Sequence, residues 1–315
     1  MIPASIATLP CRRMPTSRRT RRRKLDLPDV ALATCALLPD LDSDEQQLIP
    51  ALEACGLSAE PRVWDDPGVA WDEFRVVVIR STWDYSERRD AFLDWAASVP
   101  RVLNALPVIT WNTDKTYLRD LAEAGISTVP TTWLAPGSGD RPIRLPDGNL
   151  VVKPAVSSGA QNTARYGPDD HDAARIHVAR LLDDDREVMV QPYVASVDAL
   201  GETGLIYIDG AFSHAVRKGA LLRAAGVATD ELWAREDITP RTPGADEHAL
   251  AEAVLDAVPW PRETLLYARI DVVRGDDGSP WLLELELAEP SLFLGLGSGA
   301  ALRLAKGIDR RIGNH

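Results

Sequence analysis

Residues 267–289, YARIDVVRGDDGSPWLLELELAE, constrain the fold most, because they are typical of two short strands joined by a turn. Side chains alternate between the two faces of a strand, so Arg269 and Asp271 are predicted to share one face of the first strand. A turn near Asp277 then places Asp271 opposite Glu284, and a slip of one residue would reverse the faces. On the second strand one face is predicted to be apolar throughout, formed by Trp281, Leu283, Leu285 and Leu287. Glu284 and Glu286 therefore project together from the other face.

The carboxylates of this hairpin predict a metal site. Three carboxylates that face one another repel unless a hard cation neutralises them, and Mg²⁺ prefers oxygen ligands of this kind. We therefore interpret Asp271, Glu284 and Glu286 as metal ligands. Alternating Leu and Glu is also the ordinary pattern of a strand with one solvated face. The metal interpretation thus depends on phosphate-binding elements elsewhere in the chain.

The composition places the chain among globular proteins. Its 315 residues suffice for two or three lobes, and 45% hydrophobic and 26% charged residues are ordinary values. No apolar run approaches the length that spans a membrane, so no membrane partner is expected. The net charge of −12 hides an asymmetry, since residues 1–28 hold eight basic residues and one acidic residue. The remaining 27 basic and 46 acidic residues leave a net charge of −19, which argues against a nucleic-acid partner.

The basic segment 1–28 is interpreted as a disordered extension. An export signal would need an apolar stretch and a cleavage site, which this segment lacks. A nucleic-acid-binding arm would find no basic surface in the rest of the chain. Cys11, Cys35 and Cys55 show no metal-binding spacing and are expected to be reduced thiols of a cytoplasmic protein.

Residues 29–110 are predicted to form a small α/β lobe with mostly parallel strands. The predicted elements are strands at 30–38, 62–64 and 74–80 and helices at 43–56 and 87–99. Ligands bind such open sheets beyond the carboxyl ends of their strands. The loop at 80–85, RSTWDY, occupies that place after the strongest strand.

A lysine followed by small residues predicts a phosphate-binding loop. Lys153 ends an apolar strand and can act as a point charge on phosphate. Ser157, Ser158, Gly159 and Ala160 follow, and small residues let backbone N–H groups approach phosphate oxygens closely. A solvated lysine before a surface turn is the alternative. The spacing is not that of a Walker loop.

Two further strand ends extend this interpretation. The strand at 187–194 breaks after Gln191, and such an end can offer an N–H and a C=O to an adenine edge, with Val194 as apolar packing. A two-residue turn at Asp209–Gly210 would place Glu202 opposite Arg217. A cross-strand ion pair is worth roughly 0.2–1 kcal/mol, so stability is a weak reason for it. Arg217 is therefore a candidate to clamp a transferring phosphoryl group.

Taken in chain order, these elements resemble the ATP-grasp superfamily, and most closely its glutathione synthetase and RimK-like branch. The resemblance covers about residues 110–290 and rests on Lys115, Lys153 with its loop, the strand end at 191–194, Arg217–Lys218, Arg269–Asp271 and Glu284–Glu286. The segments RSTWDY at 80–85, WNTDK at 111–115 and FSHAVRK at 212–218 are also similar to the cyclo-ligases of D-cycloserine biosynthesis.

The resemblance implies an ATP-grasp fold, in which an amino-terminal α/β lobe precedes two α+β lobes that grip ATP. The expected lobes are residues 29–110, 111–194 and 195–315. The implied ATP-binding residues are Lys115, Lys153, Ser157, Ser158, Gly159, Ala160, Gln191, Val194 and Glu202. Asp271, Glu284 and Glu286 would hold two Mg²⁺ ions. Glu286 departs from the branch, which often has Asn at this position, so the charge of the site would differ.

The implied activity is that of an ATP-dependent carboxylate–amine ligase. A substrate carboxylate attacks the γ-phosphate of ATP, and a nitrogen nucleophile captures the resulting acylphosphate. In a cyclo-ligase that nitrogen lies in the same molecule, O-ureido-D-serine, so positioning dominates. Arg217 and Arg269 would neutralise charge on the transferred group. The amino-acid end of the substrate would contact Arg80, Thr82, Asp84, Tyr85 and Lys218, with Trp83 packed beneath the loop.

Three other functions remain open at this point. The chain can be an intermolecular amino-acid or peptide ligase, a nucleotide-binding module without turnover, or a metal-dependent phosphohydrolase. In each case the expected partner is a small molecule, and a homo-oligomer is compatible with the sequence.

Overall fold

The computed structural model describes residues 28–137, 144–221 and 237–313, and these contain three β-sheets. The first sheet is parallel and the other two are antiparallel with helices packed on them, which confirms the predicted α/β and α+β fold class. The predicted basic extension lies outside the described residues except for Pro28. No helix in the described ranges is long and apolar enough to cross a membrane.

The first sheet has the strand order β2-β1-β3-β4. Its strands are β1 (Val30–Thr34), β2 (Ala59–Val63), β3 (Val76–Ile79) and β4 (Val102–Leu103). The two central strands are buried along their whole length because both faces are covered. One face packs on α1 (Leu48–Ala54) and on the last helix of the chain, at Ala300–Gly313. The other face packs on α2 (Arg89–Ser98).

The second sheet has the strand order β5-β8-β6-β7. Its strands are β5 (Thr132–Leu134), β6 (Leu150–Pro154), β7 (Ala164–Tyr166) and β8 (Val188–Pro192). Leu150 and Val152 pack against the helix at His171–Asp183. Because side chains alternate along a strand, Val151 and Lys153 face the opposite way, toward the third sheet.

The third sheet has the strand order β11-β10-β9-β12-β13. Its strands are β9 (Glu202–Ile208), β10 (Ala211–Lys218), β11 (Ile238–Arg241), β12 (Tyr267–Arg274) and β13 (Pro280–Glu286). In chain order the remaining helices are α3 (Leu106–Asn112), α4 (Tyr117–Glu123), α5 (His171–Asp183), α6 (Ser196–Leu200), α7 (Ala245–Ala257) and α8 (Ala300–Gly313). Helices α3, α4 and α7 pack on one face of this sheet. Part of the other face packs on α8, and the rest lines a cavity together with Lys153.

The carboxylate hairpin is formed by β12 and β13, and the predicted pairing of Asp271 with Glu284 is confirmed. A β-bulge follows at once, because Val272 pairs with Leu282 and Leu283 is the extra residue. The predicted apolar face is therefore wrong in its first half: Leu282 joins Leu285 and Leu287 in the core. Trp281 and Leu283 instead pack on the other side, beside Val194 and Val197.

A second bulge corrects the predicted pairing of Glu202 with Arg217. The register of β9 and β10 shifts between Phe212 and His214, so Glu202 lies opposite Lys218 and Arg217 lies opposite Thr203. The two-residue turn was predicted correctly, since Ile208 pairs with Ala211, but the bulge adds one residue to β10. Lys218 thus takes the place that the sequence assigned to Arg217.

Candidate active site

A cavity of about 630 Å³ is lined by side chains from all three sheets and their loops. Its volume lies in the range of small-molecule and cofactor sites. The second sheet contributes Lys153 and Gln191, the third contributes Glu284 and Glu286, and the loop after β3 contributes Tyr85. The predicted elements from distant parts of the chain therefore meet in one place.

Lys153 is the buried cation of this cavity. It is 7% exposed, and burial lowers the pKa of its ammonium group. No described Asp or Glu forms an ion pair with it, although Glu284 and Glu202 act on it through space. A buried ammonium group without a close counter-ion is well placed to bind an anion such as phosphate.

Lys115 joins the small-residue loop to the carboxylate hairpin. It precedes α4, and its Nζ donates to the carbonyl of Ser157 at 2.7 Å and lies 3.2 Å from Ser157 Oγ. The same nitrogen lies 3.1 Å from Glu284 Oε1. One side chain thus connects two walls of the cavity.

The small-residue loop, residues 157–160, lines the cavity along its whole length. Gly159 and Ala160 both have left-handed backbone conformations, with φ of 59° and 61°. Glycine adopts this conformation without strain, and such turns can point successive N–H groups the same way. Ser86 Oγ donates to Gln161 Oε1 at 3.0 Å, which ties the loop to the first lobe.

Gln191 and Val194 lie at and just beyond the end of β8, and both line the cavity. Gln191 Nε2 donates to Thr131 Oγ1 at 2.8 Å. Leu283, displaced onto this side by the bulge in β13, also lines the cavity. Apolar side chains beside a polar strand end can hold the face and the edge of an aromatic base.

The three predicted metal ligands lie on the same face of the third sheet, each engaged by a cation. Arg269 donates from Nη2 to Asp271 at 2.9 Å and also pairs with Glu286. Lys218 Nζ lies 3.0 Å from Asp271 and 3.1 Å from Glu202. Asp271 is 1% exposed beneath these cations, so Glu284 and Glu286 line the cavity while Asp271 lies behind them.

These ion pairs shift the pKa values of the three carboxylates in different directions. Burial alone would raise the pKa of Asp271, but Arg269 and Lys218 outweigh it and the pKa is lowered. Lys115 and Lys153 outweigh burial at Glu284 in the same way. At Glu286 burial dominates over Arg269, and with the neighbouring carboxylates it raises the pKa to about 8.

The chemistry of this donor set fits Mg²⁺, because it consists of carboxylate oxygens at the ends of two adjacent strands. The raised pKa of Glu286 marks a surplus of negative charge that a cation would relieve. Among the described residues, however, no three His, Cys, Asp or Glu side chains converge on one point. Asp271 is held by both Lys218 and Arg269, so both cations would have to release its carboxylate before it bound a metal.

Arg80 was predicted to contact substrate, and the structure places it elsewhere. Its side chain is completely buried, forms an ion pair with Glu45 and donates to the carbonyl of Pro290 at 2.7 Å. The guanidinium also lies 4.9 Å from the ring centre of Tyr267. Arg80 therefore joins the first lobe to the segment after β13 and has no surface for a substrate.

Of the remaining residues of the 80–85 loop, some are held inside the first lobe and others line the cavity. Thr82 is fully buried, and Asp84 accepts hydrogen bonds from Trp64 Nε1 at 2.9 Å and Arg88 at 2.7 Å. Neither lines the cavity, so the structure gives no support to their predicted substrate contacts. Tyr85 does line it. Trp83, expected to pack beneath the loop, lines it as well and donates to the carbonyl of Glu289 at 3.1 Å.

Arg217, a predicted catalytic residue, projects from the opposite face of the third sheet. It donates to the carbonyl of Leu200 at 3.0 Å and lies 3.6 Å from Asp237. It does not line the cavity, whereas Lys218 and Arg269 do. The bulge in β10 causes this difference, because one extra residue exchanges the two faces.

Several polar residues that sequence reasoning missed hold the outer edge of β13. Asn112 donates to the carbonyl of Leu285 at 2.8 Å and accepts from the N–H of Leu287 at 2.6 Å. The hydroxyl of Tyr117 accepts from the N–H of Leu285 at 2.9 Å. These bonds satisfy an edge strand and fix the direction of Glu284 and Glu286. A buried Asn within a short helix was the available signal.

Comparison with known proteins gives similar sequences and similar folds. The family profile described as "D-cycloserine synthetase DcsG, N-terminal domain" matches residues 30–106. The chain is 39% identical to the cycloserine biosynthesis protein DcsG of Streptomyces lavendulae over 300 residues, covering 90% of this chain and 98% of that protein.

Solved structures agree. The crystal structure of D-cycloserine synthetase DcsG superposes with a TM-score of 0.79 at 37% identity, covering 90% of this chain and 99% of that one. The D-alanine–D-alanine ligase of Bacillus anthracis, solved in complex with ATP, gives a TM-score of 0.60 at 15% identity, with 91% and 97% covered. This second likeness concerns the fold alone.

Proposed function

Since this chain belongs to the ATP-grasp ligase family of the D-cycloserine synthetase DcsG, we propose that it uses ATP to close the ring of O-ureido-D-serine. It is an ATP-dependent ligase that uses Mg²⁺, and its reaction forms a carbon–nitrogen bond and releases ADP. The identity of the substrate and the roles of individual residues are the proposed part.

One observation carries the proposal. A buried lysine that lacks a close counter-ion, Lys153, shares a cavity with Glu284 and Glu286, and Lys115 links the covering loop to Glu284. Cations to bind phosphate and carboxylates to bind a divalent ion thus lie together, as transfer of the terminal phosphoryl group of ATP requires.

The residues suggest how the nucleotide is held. Lys153 and Lys115 bind phosphate oxygens, residues 157–160 cover them with backbone N–H groups, and Gln191 with Val194 holds the base. Glu202 keeps Lys218 in place at 3.1 Å, within reach of the phosphate end. When Mg²⁺ is bound by Glu284, Glu286 and Asp271, it supplies charge neutralisation for the transferred phosphoryl group. Three carboxylates favour two such ions.

The reaction then proceeds in two displacements. An oxygen of the substrate carboxylate attacks the γ-phosphorus, the bond to the β,γ-bridging oxygen breaks, and ADP leaves. Arg269 lines the cavity and stabilises the negative charge that spreads over the transferred group. The nitrogen bonded to the side-chain oxygen of the substrate attacks the acyl carbon, phosphate leaves, and that nitrogen loses its proton. Loss of the carbamoyl group with one water, as carbon dioxide and ammonia, balances the conversion to D-cycloserine.

The structure favours Tyr85 and Trp83 as the substrate-binding part of the first lobe. Both line the cavity, and Trp83 Nε1 bonds the segment after β13 at the carbonyl of Glu289. Lys218 lines it too.

The test is a screen for ADP release with O-ureido-D-serine, its L-enantiomer, single amino acids and dipeptides, with products identified by mass spectrometry. The proposal expects ADP and D-cycloserine in equal amounts from O-ureido-D-serine. ADP with two joined amino acids would indicate an intermolecular ligase instead. Tight ATP binding without ADP release would indicate a nucleotide-binding module, and phosphate release without any acceptor a phosphohydrolase.

A further inference from the structure

Most carboxylates around the cavity already have partners. Among those that line it, Glu45, Glu202, Glu284 and Glu286 each form an ion pair with a Lys or Arg. Asp42 and Asp44 are partly exposed and accept hydrogen bonds from backbone N–H groups. Glu289 differs from all of them.

Glu289 is 9% exposed and lines the cavity, yet no Lys, Arg or His within the described ranges forms an ion pair with it. Its carboxylate interacts with the hydroxyl of Tyr85, which is also buried, and Lys115 and Arg269 act on it through space. Burial raises the pKa of Glu289 to about 7. A buried carboxylate without an ion-pair partner is costly to keep charged, and a cation in the cavity would offset that cost.

The backbone around Glu289 is held at two points. Its carbonyl accepts from Trp83 Nε1 at 3.1 Å, and the carbonyl of Pro290 accepts from Arg80 at 2.7 Å. These anchors fix the carboxylate at the end of the cavity where the first lobe contributes its side chains. Such rigidity is typical of a group that orients a ligand.

The lining of the cavity therefore includes two buried groups of opposite charge that each lack an ion-pair partner among the described residues. Lys153 is a buried cation without an ion-pair partner, and Glu289 is a buried carboxylate without one, among the residues that the structure describes. The Glu284 carboxylate and the Lys115 ammonium group both act electrostatically on each of these two residues. An anion is favoured beside Lys153 and a cation beside Glu289.

We propose that Glu289, oriented by Tyr85, binds the ammonium group of a zwitterionic amino-acid substrate and thereby turns the substrate carboxylate toward the phosphate end. This assignment rests on the proposed function for the identity of the substrate. It makes Glu289 the residue that distinguishes an α-amino acid from the corresponding acid without an amino group.

The test compares binding of O-ureido-D-serine with that of 3-(ureidooxy)propanoic acid, its analogue without the α-amino group. Calorimetric titrations contain Mg²⁺ and a non-hydrolysable ATP analogue, so that binding is measured without turnover. The variants are Glu289→Gln, Tyr85→Phe and, as a matched control, Glu123→Gln, an exposed glutamate on α4. Charge-assisted hydrogen bonds are the stronger ones, so we expect the wild type to prefer O-ureido-D-serine about 10- to 100-fold.

Glu289→Gln should abolish that preference while leaving affinity for the ATP analogue within about twofold of the wild type. Tyr85→Phe should reduce the preference less, because the carboxylate remains, and Glu123→Gln should retain it in full. A Glu289→Gln enzyme that still prefers the amino acid overturns the assignment. So does a wild type that binds the two compounds equally or binds neither. Turnover is scored separately, so failure to release ADP refutes the proposed function without deciding this assignment.

Discussion

The hairpin of β12 and β13 and the loop after β3 both contribute to the cavity, but the directions of their side chains could be predicted from the sequence to very different extents. In the hairpin of β12 and β13, Asp271, Glu284 and Glu286 lie on one face, as strand alternation predicts. In the loop after β3, Arg80 and Thr82 are buried and Asp84 supports Trp64, so three of the four predicted substrate residues of this loop do not line the cavity. A strand has a period that fixes direction, and a loop has none.

The loop shows what decides direction when no period exists. Arg80 turns inward because Glu45, 35 residues earlier in the chain, is buried beside it, and the carbonyl of Pro290 accepts a hydrogen bond from the same nitrogen, Nη2. A buried ion pair persists only when its partners are satisfied in this way. The partners come from remote segments, so the loop sequence alone cannot reveal them.

The largest effect should come from the hairpin. Glu284→Gln removes a charge at the cavity wall and should lower turnover by about 10²–10⁴-fold if the carboxylate acts in phosphoryl transfer, with the protein still folded although its ion pair with Lys115 is lost. Asp276→Asn, in the exposed turn of the same hairpin, is the matched control and should retain full activity. ADP release under saturating substrates measures both. Equal activity of the two variants would remove the hairpin from the site.

The next largest effect should show whether Arg80, in the loop after β3, stabilises the fold or contacts the substrate. Arg80→Met leaves Glu45 buried without its cation and should lower the free energy of unfolding by about 3–5 kcal/mol, whereas Glu45→Met/Arg80→Met should recover most of it. Arg75→Met, in an exposed pair with Asp29, should cost no more than about 1 kcal/mol. Chemical denaturation measures all three. An Arg80→Met enzyme of normal stability with a raised substrate KM would restore the original substrate assignment.

The smallest expected effect concerns pH and Glu289. Its pKa of about 7 exceeds the ordinary value of 4.5, so between these values the folded state binds more protons than the unfolded chain. Its contribution to stability therefore decreases as pH rises through this window. Glu289→Gln should thus be more stable than the wild type at pH 8, by on the order of 1–3 kcal/mol, and nearly equal to it below pH 4.5.

Unfolding by urea at pH 5 and pH 8 checks this sign, with Glu123→Gln as the control that should show no pH-dependent difference. The same window applies to Glu286, with a pKa of about 8, so the wild type should itself lose stability over it. A difference between Glu289→Gln and wild type that stays constant with pH would show that Glu289 is not a raised-pKa carboxylate.

The contrast between hairpin and loop also explains how much of the molecule the sequence could predict. The pairing of Asp271 with Glu284 followed from strand alternation and the turn, whereas the ATP-grasp fold and the meeting of Lys115, Lys153 and the hairpin were implied by the resemblance to that superfamily. The predicted pairing of Arg217 with Glu202 was wrong because of one bulge at Ser213, which no local signal marks. Glu289 was missed because it follows the strand, where direction depends on Trp83 and Arg80. The domain boundaries, the cytoplasmic location and a homo-oligomer stay predictions.

The most direct test of the central claim is whether Mg²⁺-dependent nucleotide binding requires the hairpin. Affinity for a non-hydrolysable ATP analogue would be measured by calorimetry with and without Mg²⁺ for the wild type, Glu284→Gln and Asp276→Asn. We expect Mg²⁺ to increase affinity at least tenfold in the wild type and in Asp276→Asn, and to have little effect in Glu284→Gln. An undiminished Mg²⁺ effect in Glu284→Gln would contradict the account.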